Sequence, residues 1–123
     1  MIESLIFDGA NVVTKNLIAT IGGSFVWDVE LSDPFGSVVD MSATSPASWS
    51  ATFVVCPDFG KDATITKTPT ITNAALGQVE TVVPTTDLAT LTTGFYIYEF
   101  KVTDNNSATY TVARGIFYVN NGV

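Results

Sequence analysis

The chain has 123 residues, 46% of them hydrophobic and only 14% charged, which suits one domain with an ordinary core and excludes a disordered chain. Twelve acidic residues against five basic ones give a net charge of −7. That balance argues against nucleic acid and membrane as partners, and the absence of histidine removes the commonest general base and metal ligand.

The first thirteen residues carry Leu5, Ile6, Phe7, Val12 and Val13 with few charges. They lack a basic region followed by an uninterrupted apolar run, so they do not read as a secretory signal. They are expected to form an N-terminal arm over residues 1–13, ahead of one domain over 14–123, and to contact a neighbouring subunit or another protein of the same assembly by strand addition to a sheet edge. The competing expectation is that they form the first strand of their own sandwich. No stretch approaches the ~18 apolar residues of a membrane-spanning helix.

Beyond the arm, alternation dominates and helical periodicity is almost absent, which predicts strands with one buried face. Val12 to Ile21 is a first strand ended by Gly22-Gly23. In the next, Phe25, Trp27, Val29 and Leu31 point one way and Ser24, Val26, Asp28 and Glu30 the other. The turn Ser32-Asp33-Pro34-Phe35-Gly36 follows, and Gly36 is expected at positive φ because it has no Cβ to clash. A strand with Trp49, Ala51, Phe53 and Val55 on its buried face runs to Cys56, and Pro57-Asp58-Phe59-Gly60 is a turn.

Thr64 to Thr72 is broken at Pro69 and reads as an edge strand pair or a strand–loop–strand, because proline cannot donate to a ladder. Val79, Thr81 and Val83 mark a shorter strand. Thr86-Asp87 before Leu88 predicts a capped helical turn, ended by Gly94. Tyr96, Tyr98, Phe100 and Val102 then alternate with Phe95, Ile97, Glu99 and Lys101, whose face is half apolar, predicting a strand covered on both sides. Asp104 to Ser107 is a hairpin turn, with asparagine supplying the left-handed residue, into a long strand over Thr109 to Val119.

About seven strands and one hydrophobic centre predict an all-β, immunoglobulin-like β-sandwich. A small jelly roll or partly open barrel is the alternative. Phe25, Trp27, Val29, Trp49, Phe53, Val79, Tyr98, Phe100 and Phe117 are the expected core.

Motifs for chemistry are largely missing. Cys56 is the single cysteine, so no intrachain disulfide can form, and a packing role is expected. Serine and threonine are abundant, but no histidine and no G-x-S-x-G elbow accompanies them. Asp28, Glu30 and Glu99 read as solvated carboxylates on sheet faces. Calcium is the most credible metal for Asp33, Asp40, Asp58, Asp62 and the Asp104 turn, but none of these matches an EF-hand loop and turn formation explains them without a metal. The chain is therefore expected not to be an enzyme, with no cofactor and no metal. Apolar groups in the arm and at turn tips (Leu5, Ile6, Phe7, Phe35 and Phe59) are the candidate protein-interaction residues.

The order of elements carries a resemblance. Gly22-Gly23-Ser24, the strand to Leu31, Asp33-Pro34-Phe35-Gly36 and Val38-Val39-Asp40-Met41-Ser42 precede Gly77-Gln78-Val79, Leu88…Leu91, Gly94-Phe95-Tyr96-Ile97-Tyr98-Glu99 and Gly115 to Val119. Over residues 17 to 119 this series resembles the immunoglobulin-like N-terminal domain of phage baseplate upper proteins. The resemblance implies a tailed-phage structural module of the tail, baseplate or capsid surface (adaptor, fibre base or decoration protein). It also implies docking to other phage structural proteins, symmetric homo-oligomers, and a place in the virion after assembly in the host cytoplasm. In the baseplate relatives a coiled coil follows this domain, whereas this chain ends at Val123, so a free-standing module is expected. The alternative is a carbohydrate-binding module of a surface adhesin, resting on Trp27, Trp49 and the tyrosine-rich strand.

Overall fold

A computed structural model describes residues 2–7, 12–58 and 60–121. The chain folds as an all-β sandwich of two mixed sheets. Its strands are β1 (Glu3–Ile6), β2 (Val13–Thr14), β3 (Leu17–Thr20), β4 (Phe25–Ser32), β5 (Ser50–Cys56), β6 (Ile65–Lys67), β7 (Thr70–Asn73), β8 (Gln78–Val83), β9 (Gly94–Thr103) and β10 (Thr109–Asn120). One helical turn, α1 (Thr85–Leu88), links β8 to β9.

The four-stranded sheet has the order β1-β4-β8-β7. The six-stranded sheet has the order β2-β10-β9-β5-β6, with β3 also on β10. β1 runs parallel to β4, β2 and β3 run parallel to β10, and the remaining pairs are antiparallel.

The alternation fixes which side of each strand is buried. On β4, Phe25, Trp27, Val29 and Leu31 all face inward. They meet Phe53, Val55, Tyr98, Phe100 and Phe117, which have no exposed surface. Trp27 lies edge-on to Tyr98 and Phe100, with ring centroids 5.8 and 5.6 Å apart, and Phe25 lies edge-on to Phe117 at 5.1 Å. Such edge-to-face pairs add stabilisation beyond their buried area. Of the nine expected core residues only Trp49 is not fully buried, being partly covered by Phe7.

Several expectations are corrected. Ten strands form among the described residues rather than about seven, because the N-terminal segment adds β1, the segment around Pro69 supplies two strands, and the first expected strand divides at Lys15-Asn16. There the Lys15 carbonyl crosses β10 so closely that a Cβ on Gly115 would lie 2.1 Å from it. Around Pro69 the strand–loop–strand reading holds and the edge pair does not: β6 joins β5 in one sheet and β7 joins β8 in the other. The helical turn has Pro84 at its N-cap and no side-chain cap, so Thr86 and Asp87 lie inside it. In the hairpin turn the left-handed residue is Ser107, at φ 66°, and not an asparagine.

The N-terminal segment is also corrected. β1 is an integral edge strand, with Leu5 paired to Leu31 and buried in the core. The Phe7 N–H extends the pairing by donating to Ser32 O at 2.7 Å. Pairing to its own β4 replaces strand addition to a neighbour for these residues. Residues 8–11 of the expected arm lie outside the described residues.

Candidate docking site

The interaction residues expected from the sequence are scattered. Leu5 is core and supplies no surface. Phe7 is half-buried, its ring 5.3 Å from that of Tyr110 and 6.2 Å from that of Trp49. Ile6 is about half exposed on the outside of the four-stranded sheet. Phe59 lies outside the described residues. Phe35 alone stands clear, 94% exposed at its turn tip. That turn is well bonded: Asp33 Oδ1 accepts from the N–H groups of Phe35 and Ser37 at 2.9 and 3.0 Å. The Gly36 N–H donates to Asp33 O at 3.0 Å, with Gly36 at φ 91° as expected.

A contiguous apolar surface forms elsewhere, on the outer face of the six-stranded sheet. β10 lies between β3 and β9, and register places Ile18, Tyr118 and Phe95 in one row across the three strands. Ile18 is 65% exposed and Phe95 72% exposed, and the Phe95 and Tyr118 rings sit 4.9 Å apart. The next row pairs Ile116 with Ile97, which in turn faces Cys56 on β5. Burial, then the charge of Glu99, pushes the Cys56 thiol up, away from reactive thiolate.

Beside Ile116 is a depression of about 430 Å³ lined by Thr14, Asn16, Ile97, Arg114, Gly115 and Ile116. Asn16 Oδ1 accepts from the Ile116 N–H at 3.1 Å and fixes its edge. The third row is charged: the Arg114 guanidinium donates to Glu99 Oε2 at 2.6 and 3.1 Å, and Lys101 lies 3.9 Å from Glu99. An apolar centre, an adjoining depression and a charged border form the usual anatomy of a protein-recognition surface.

Ile18, Phe95, Ile97, Ile116 and Tyr118 lie on three separate strands and form a group only through the register. The half-apolar second face of β9 is the available signal in the sequence, and by itself it reads as a covered strand. Among the described residues nothing covers Phe95.

The tryptophans form no open platform, since Trp27 is buried and Trp49 lies half-buried beside Phe7. Three of the loop carboxylates, those of Asp33, Asp40 and Asp104, serve turns. Asp40 accepts from the Ser42 hydroxyl and N–H, which hold it below the usual carboxylate range, and Asp104 Oδ1 accepts from the N–H groups of Asn106 and Ala108. Among the described residues no three His, Cys, Asp or Glu side chains converge on a metal position.

No family profile and no curated protein matches the chain. Among solved structures it is similar to the N-terminal domain of phage TP901-1 ORF48, with a TM-score of 0.59 and 12% sequence identity. The match spans 98% of this chain and 100% of that one, so the likeness is of one entire domain to another and the two share a fold.

Proposed function

We propose that this chain is a non-catalytic structural module of a tailed-phage virion, and that it docks through the outer face of its six-stranded sheet. The observation that carries this reading is the near-complete mutual coverage with a domain of a phage protein. The ordered motif series from Gly22 to Val119 points the same way. The strand order β4-β8-β7 against β10-β9-β5-β6 supports reading the domain as immunoglobulin-like, with β1 departing by running parallel to β4.

In this reading the partners are other phage structural proteins and further copies of the chain, at the tail, baseplate or capsid surface. Assembly takes place in the host cytoplasm, and the module needs no cofactor. The docking role is supported by the exposed apolar rows, since large apolar patches on small soluble domains mark contact surfaces. Mass spectrometry of purified particles from the virus that encodes the chain tests the proposal. The chain is expected in stoichiometric amounts with the structural proteins, and its absence from intact particles would remove the virion assignment.

A further inference from the structure

We infer that the partner seated on this face is a second copy of the chain, whose Phe35 enters the depression beside Ile116. The inference rests on reading this face as the docking surface and adds the identity of its occupant. Phe35 is 94% exposed on a turn held by four hydrogen bonds, so the ring is presented outward by a pre-organised support. The depression offers apolar walls from Ile97 and Ile116 and a volume of about 430 Å³, enough for an aromatic ring.

Charge complements shape. From Asn16 to Gly60 the chain has the acidic residues Asp28, Glu30, Asp33, Asp40 and Asp58 and no basic one. Asp33 lies two residues from the ring. The receiving face carries Arg114 at the depression and Lys101 beyond it, against one carboxylate, Glu99. One of the five basic residues of the chain, Arg114, thus lines the depression that would receive an acidic turn, and a second, Lys101, lies on the same face beyond it. Within one molecule the two parts do not meet, because Phe35 remains exposed. A ring from one copy in the depression of the next is a heterologous contact, and repeating it closes a ring or extends a filament.

Sedimentation velocity of the full chain over a concentration series tests this, with thermal unfolding confirming that each variant is folded. The wild type is expected to self-associate with rising concentration. Phe35→Ser, which removes the knob, and Ile116→Glu, which spoils the hole, should each weaken association at least ten-fold. Thr14→Trp fills the depression from its exposed rim and replaces Ile116→Glu if that variant does not fold. Mixing the knob variant with the hole variant should restore a one-to-one dimer that grows no further, which a symmetric face-to-face contact cannot produce. A wild type that stays monomeric overturns the second copy as occupant, and Phe35→Ser associating as strongly as wild type overturns Phe35 as the group that enters the depression. If association survives Phe35→Ser but is lost in Phe95→Asp, the face stands as a docking surface and the Phe35 assignment falls. If it survives both, that self-contact lies elsewhere and the inference fails.

Discussion

The two faces of the six-stranded sheet are built from the same strands and differ in what they meet. Inward, Phe53, Tyr98, Phe100 and Phe117 are sealed against Phe25 and Trp27 of the opposite sheet. Outward, one residue away along β9 and β10, Phe95, Ile97, Ile116 and Tyr118 have no opposing sheet among the described residues. Fully burying one large apolar side chain is worth about 1.5–3 kcal/mol, so the outer rows hold stabilisation that the isolated chain does not use. Alternation therefore says that a strand has two sides, while the identity of what covers each side depends on distant chain or on another molecule.

The sharpest break between the faces is a pair of alanine substitutions. Phe53→Ala should lower stability by about 3–5 kcal/mol in urea unfolding, because it opens a cavity among stacked rings. Phe95→Ala should change it by less than about 0.5 kcal/mol, as for other surface positions. Equal losses would mean that the outer face is packed in the isolated chain. Leu5→Ala comes next, at about 2–4 kcal/mol, since the inner face extends to β1. An unchanged midpoint would return residues 3–6 to the status of a detachable arm.

Tyr98 sharpens the comparison through pH. Its hydroxyl donates to Lys15 O at 2.7 Å, and burial, then the charge of Glu3, pushes the phenol well above its ordinary value of 10.0. Below pH ~10 both folded and unfolded chains hold this proton and the contribution is complete. Above it the unfolded chain releases the proton while the folded chain keeps it, so stability falls as pH rises. Tyr98→Phe should flatten that alkaline fall and cost about 1 kcal/mol at neutral pH through the orphaned carbonyl. Urea titrations at pH ~8 and ~11 on both proteins read the difference; parallel losses would contradict it.

Much of the inner face is legible in the sequence, because β4, β5, β8 and β9 report their buried sides through a period of two. Phe25, Trp27, Val29 and Phe53 are placed by that period alone. What stays hidden depends on pairing between distant segments. Nothing near Pro69 reveals that β6 and β7 enter different sheets, and nothing near Leu5 reveals a parallel partner at Leu31. The outer patch is hidden for the same reason. Ile18, Tyr118 and Phe95 lie far apart in sequence and become neighbours only through the β3-β10-β9 register. Phe35 was readable because a turn with proline and glycine exposes whatever stands between them.

Among the polar contacts, the smallest expected effect lies in the charged row beside the patch. Glu99→Gln removes the acceptor charge of Arg114 at a partly exposed site and should cost about 0.5 kcal/mol, less in high salt. A loss above about 2 kcal/mol would show that this row is structural and not a docking border.

The central claim is that the outer face of the six-stranded sheet seats the chain in a larger assembly. Its most direct test is quantitative mass spectrometry of particles assembled with wild-type chain or with Phe95→Asp. The two proteins should unfold at nearly the same temperature, with the wild type incorporated and Phe95→Asp missing from the particles. Equal incorporation of a folded Phe95→Asp chain would contradict the account.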